Sequence, residues 1–143
     1  MGIKIKLYIV FFIVIPVFVS CNNLSQEGGS NCINCITQKP EIGSITIDLT
    51  INSENDSVPL YIYKQLYKPG LTADTIIYSK QSTCVIQMKA NQTYSIQAVY
   101  KSGSKRISAI DGGVFNAQEQ SGCDISCWQL VGGKYDVKLK FNK

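Results

Sequence analysis

The sequence predicts an all-β domain built from short antiparallel strands, and three observations carry that prediction. From Gly43 onward, apolar and polar residues alternate with a period of two, the pattern of a strand with one buried face. The alternating runs are short and separated by Gly, Pro, Asn and Ser turn signals. Beyond residue 20, no stretch of useful length repeats at the helical period.

The strands follow in order. Gly43 to Ile51 sets Ile45, Ile47, Leu49 and Ile51 against Thr46, Asp48 and Thr50. Val58 to Lys64 places Leu60 and Ile62 on one side, with Tyr61 and Tyr63 on the other. A Pro69-Gly70 turn leads to Thr72–Tyr78. Ser82 to Lys89 alternates Cys84, Ile86 and Met88 with Val85 and Gln87. After a turn at Asn91-Gln92, the run to Lys101 alternates Tyr94, Ile96, Ala98 and Tyr100 with Ser95 and Gln97. Ser102-Gly103 turns the chain into Ser104–Ile110, which Asp111-Gly112-Gly113 closes. The last run, Lys134 to Phe141, directs Tyr135, Val137, Leu139 and Phe141 inward.

Seven such strands predict an antiparallel sandwich of immunoglobulin or fibronectin III type, and a transthyretin-like sandwich gives the same pattern. The step Asn91-x-x-Tyr94 into a strand is similar to the tyrosine corner of such sandwiches. One connection is long: Gly112 to Gly133 holds 22 residues without a clear strand, and contains Cys123, Cys127 and the single tryptophan, Trp128. Long loops in compact domains are often functional, so Trp128 marks a possible binding loop.

The amino terminus reads as an export signal. Lys4 and Lys6 precede an uncharged apolar run from Leu7 to Val19, and Ser20 comes just before Cys21. The run is shorter than the roughly 20 apolar residues of a membrane-spanning helix and suits a secretory signal. The segment resembles a type II lipoprotein signal peptide. That resemblance implies cleavage before Cys21 and acylation of Cys21, palmitate included. Phe18 stands where such signals usually carry leucine. The chain then divides into a signal (residues 1–20), an acylated Cys21 with a flexible tether rich in Asn, Ser and Gly (21–42), and a sandwich domain (43–143). Removing the signal leaves 123 of the 143 residues, enough for one domain with its own core.

Charge and composition exclude several functions. The net charge of +4 falls to +2 without Lys4 and Lys6, and no basic run exists, so a nucleic-acid partner is not expected. There is no histidine, which removes the usual base of Ser-His-Asp and Cys-His hydrolases. The acids are scattered and do not suggest the paired carboxylates of glycosidases. Neither an enzyme nor a cofactor is expected.

The cysteines are Cys21, Cys32, Cys35, Cys84, Cys123 and Cys127. With Cys21 acylated, five remain, and Cys84, on the face of Ile86 and Met88, is the expected buried, inert thiol. An up-and-down path of seven strands brings the tether and the long loop to the same end of the domain. Cys32, Cys35, Cys123 and Cys127 then form disulfides, paired locally or crossed, as an oxidising compartment favours. A four-thiolate zinc site and a redox-active Cys32-x-x-Cys35 are the alternatives. Eight tyrosines, with Tyr61, Tyr63 and Tyr67 close together, offer a surface for glycan stacking. Sheet propensity, with Tyr61 and Tyr63 lining the outer face of a sheet, is the simpler explanation.

Cys21, the Asn-rich segment with Cys32-x-x-Cys35, and Cys123-x-x-x-Cys127-Trp128 followed by Gly132-Gly133-Lys134-x-Asp136-Val137-x-Leu139 together resemble small outer-membrane lipoproteins of the Bacteroides group. The resemblance implies anchoring in the outer membrane through the lipid and an immunoglobulin-like domain, and it carries no activity with it. The long loop and the tyrosines make an envelope protein or a glycan the further partner expected.

Overall fold

The computed structural model describes residues 35–140. The expected signal, Cys21, Cys32 and Phe141 lie outside the described residues.

The described chain is all-β, with eight strands in two sheets. These are β1 (Ile42–Asp48), β2 (Val58–Tyr63), β3 (Thr75–Ser79), β4 (Thr83–Lys89), β5 (Gln92–Ser102), β6 (Lys105–Glu119), β7 (Trp128–Val131) and β8 (Lys134–Asp136). One sheet has the order β4-β1-β8 and the other β3-β2-β5-β6-β7. Each inward face comes directly from the alternation. Ile45, Ile47 and Leu49 from β1 and the residue after it meet Val58, Leu60 and Ile62 of β2. Tyr94, Ile96, Ala98 and Tyr100 of β5 complete the centre, with Phe115, Tyr135 and Val137. All of these are at most 2% exposed, so the two sheets share one core.

The pairing departs from an up-and-down path. β1 runs antiparallel to β4, with Ile45 opposite Ile86, but parallel to β8, with Ile47 opposite Tyr135. The chain changes sheet between β1 and β2, between β3 and β4, between β4 and β5, and between β7 and β8. A parallel neighbour far along the sequence leaves no local signature, because no turn joins the two strands.

Strand count and one long strand also differ from expectation. Asp111-Gly112-Gly113 does not end a strand; it lies inside β6, which runs on to Glu119. Gly112 is needed where it sits, because an added Cβ would lie 2.7 Å from the Ser95 hydroxyl. That hydroxyl accepts the Tyr67 amide at 2.9 Å and so fastens the loop after β2. Beyond the glycines, Phe115 and Ala117 face the core. β7 accounts for the eighth strand, pairing Trp128–Val131 with Asn116–Glu119. Of the 22 residues expected to lack a strand, only Gln120–Cys127 does so between β6 and β7. At the carboxyl end, β8 proper covers three residues, although Val137 remains buried and Leu139 packs on the core.

Candidate functional site: the stapled end and the sheet surface around it

Cys35 and Cys127 are joined by a disulfide spanning a separation of 92 residues, with Cα atoms 5.0 Å apart. The crossed alternative between tether and loop therefore holds for this pair, and local pairing does not. Cys123 is also disulfide-bonded. Cys84 is the free cysteine among the described residues. It faces the core at the sheet margin and is half-buried, less enclosed than its alternation with Ile86 and Met88 suggests, because β4 is an edge strand.

The staple is set in ordered backbone. Ile36 and Trp128 exchange two main-chain hydrogen bonds, Ile36 N–H to Trp128 O at 3.2 Å and Trp128 N–H to Ile36 O at 2.8 Å. The Gln120 amide donates to Cys127 O at 2.8 Å. Cys127 is 1% exposed, and the Lys39 ammonium lies 5.2 Å from the centre of the Trp128 ring, a cation–π distance. The Glu41 carbonyl accepts the Ala90 amide at 2.8 Å. Residues 35–41, read from composition as the end of a tether, are thus docked along the domain. Trp128, expected in a loop, opens β7, where its backbone pairs with Glu119 on one side and Ile36 on the other.

Two further devices hold this architecture, and neither stands out in the sequence. Asn55 is 4% exposed. Its amide group donates to Lys101 O at 3.1 Å and its carbonyl accepts Lys101 N–H at 2.7 Å, clamping the β1–β2 crossing to the end of β5. The only signal was its position three residues after Asn52, whose side chain accepts the Asn55 amide at 2.8 Å. Asp111 joins the two sheets: its carboxylate accepts Gly112 N–H and, across the gap, Asp136 N–H, each at 2.8 Å.

The tyrosine cluster is only partly a surface. Tyr61 is half-buried on the outer face, but Tyr63 is 4% exposed and covered by Tyr67, whose ring stands edge-on at 5.3 Å. The Tyr63 hydroxyl donates to the Gln97 side chain at 2.7 Å. Burial, with Tyr67 and Tyr61 beside it, pushes the Tyr63 phenol above its ordinary pKa. Tyr94 is buried, and its hydroxyl donates to Lys89 O, five residues upstream, at 3.0 Å, a contact similar to that of a tyrosine corner.

Chemically, the stapled end is a cross-linked, hydrogen-bonded platform. The bonded sulfurs of Cys35 and Cys127 are not thiolates. Among the described residues, no group of three or more His, Cys, Asp or Glu side chains could hold a metal ion. No family model matches the chain, and neither a curated protein nor a solved structure matches it.

Proposed function

We propose that this chain is a lipid-anchored, non-enzymatic β-sandwich that serves as an accessory or binding module at the cell envelope, on the outer membrane. The observation that carries this reading is the Cys35–Cys127 disulfide. Such a bond belongs to an exported chain, and it begins 14 positions after the cysteine that ends the signal-like segment. Acylation of Cys21 would then hold the stapled end within about 50 Å of the bilayer, the contour length of the intervening chain. With Cys21 acylated, Cys32 is the thiol left to pair with the oxidised Cys123, giving two crossed links in parallel. The Tyr94 corner supports kinship with immunoglobulin and fibronectin III sandwiches.

Metabolic labelling with an alkyne palmitate analogue tests the anchor. The wild-type chain is expected to carry label and to sediment with membranes, and Cys21→Ser to lose both. Equal labelling of the variant, or a wild-type protein free of lipid, would overturn the reading. Peptide mapping without reduction is expected to recover Cys32 linked to Cys123.

A further inference from the structure

The long strand β6 is covered unequally on its two sides. Along one side, β5 pairs with it continuously from Lys105 to Phe115. Along the other, β7 pairs only with Asn116–Glu119. Among the described residues, 105–113 therefore have no strand partner on that side and form an open sheet edge. In an antiparallel ladder, alternate residues direct their backbone groups to opposite sides. The β5–β6 hairpin closes on Ser102 opposite Lys105 across two residues, so the odd-numbered residues of β6 bond toward β5, and the Ala117 amide turns to Asn91 on that same side. By this alternation Arg106, Ser108 and Ile110 present their N–H and C=O groups to the open side. None of the three has a further backbone partner among the described residues.

Natural edges are usually blunted by proline, a bulge, a central charge or a covering segment. Here the charges stand at the two ends, Lys105 and Arg106 at one and Asp111 at the other, and Ile107–Ile110 between them is uncharged. The edge borders a groove of about 260 Å³ lined by Ile107, Ile110 and Leu139 and, on its far wall, by Asp136, Lys138 and Lys140. Ile107 is 40% and Ile110 43% exposed.

We infer that this edge pairs with the same edge of a second copy, antiparallel about a two-fold axis through Ser108. That register sets Lys105 opposite Asp111 of the other copy, twice, and Ile107 opposite Ala109, also twice, all on one face. On the other face, Ser108 meets itself and Arg106 meets Ile110. Neighbouring registers lose this fit. An axis through Arg106 stacks arginine on arginine, and an axis through Ala109 sets Ile107 against the Asp111 carboxylate. The edge is self-complementary in charge and in apolar content, as an isologous interface requires, and the pairing satisfies the open backbone groups by strand addition.

The test is sedimentation of the full-length chain in detergent over a concentration series, with a charge swap. Wild type is expected to reach the mass of two chains. Lys105→Asp faces carboxylate with carboxylate at both ends and should weaken the dimer by at least about tenfold, given what cross-strand charge pairs are worth. Adding Asp111→Lys to Lys105→Asp should restore it. Because Asp111 also holds the Asp136 amide, Ser108→Pro serves as a second variant. It removes one edge N–H without touching the β5 ladder, and it too should dissociate the dimer with an unchanged far-ultraviolet spectrum. A monomer at every concentration, an assembly larger than a dimer, or a dimer indifferent to both Lys105→Asp and Ser108→Pro would overturn the inference.

Discussion

Tyr100 links the two sheets through a single hydroxyl. It is fully buried, donates to Val137 O at 2.6 Å and accepts Thr50 N–H at 3.1 Å. Both partners belong to the sheet opposite β5, one just after β1 and the other just after β8. Tyr135 is equally enclosed, yet its hydroxyl has no hydrogen-bond partner among the described residues. Burial raises the pKa of both phenols above the ordinary value, so each is neutral at physiological pH and matters only as a hydrogen-bonding group and a ring. Removing one side of a buried hydrogen bond leaves the other side desolvated, at a cost of about 1–3 kcal/mol, whereas removing an unpaired polar group costs little. Tyr100→Phe is therefore expected to lower stability by about 1–3 kcal/mol in urea denaturation, and Tyr135→Phe to change it by less than about 0.5 kcal/mol. Equal losses in the two variants would contradict this assignment. Both residues were legible as inward-facing from their alternation, but the difference between them was not. It depends on which backbone carbonyl from another strand stands opposite the ring, and that is fixed only when the sheets pack.

At the level of elements, the crossing from β7 to β8 depends on two residues. Gly132 and Gly133 take φ values of 81° and 77°, the left-handed region that disfavours side chains. A Cβ on Gly132 would also collide with the Val114 carbonyl oxygen, and one on Gly133 would lie 2.9 Å from the Phe115 ring. The Gly133 carbonyl accepts the Thr46 amide at 2.7 Å, which starts the parallel pairing of β8 with β1. Gly132→Ala is expected to destabilise the fold by more than about 1 kcal/mol, because backbone strain and steric overlap act together. A thermal midpoint matching wild type would show that the crossing adapts. β1, β2, β4 and β5 were readable because every second side chain of each is apolar and turned to the core, which imprints the period of two. β6 was cut short in the reading because Gly112 and Gly113 resemble a turn, whereas here a glycine makes room for Ser95. β7 was missed because four residues are too few to show a period, and its pairing with β6 and Ile36 comes from tertiary contact. The convergence of tether and loop cysteines was anticipated from a path that the chain does not follow; what brings Cys35 to Cys127 is the Ile36–Trp128 bridge beside β7.

For the whole molecule, the disulfide closes nearly the entire domain into one loop, from the residue where the described chain begins to the strand before last. In the chain-entropy account, a cross-link over about 90 residues removes freedom from the unfolded state worth up to about 4–5 kcal/mol. Cys123, oxidised as well, adds little to this term if its link joins the same two segments, since the large loop is already closed. The sandwich has a continuous core of its own, so the reduced chain should still fold, but with a smaller margin. Reduction is therefore expected to leave the far-ultraviolet spectrum unchanged while lowering the urea midpoint. It should also raise the slope of the transition, because an unfolded chain without the cross-link exposes more surface. This pattern separates a staple that constrains the unfolded state from one on which the native packing depends. Loss of the folded spectrum on reduction would mean that the core cannot stand alone. An unchanged midpoint and slope would mean that the link contributes nothing to stability, and its role would then be to fix the orientation in which the domain leaves its anchor.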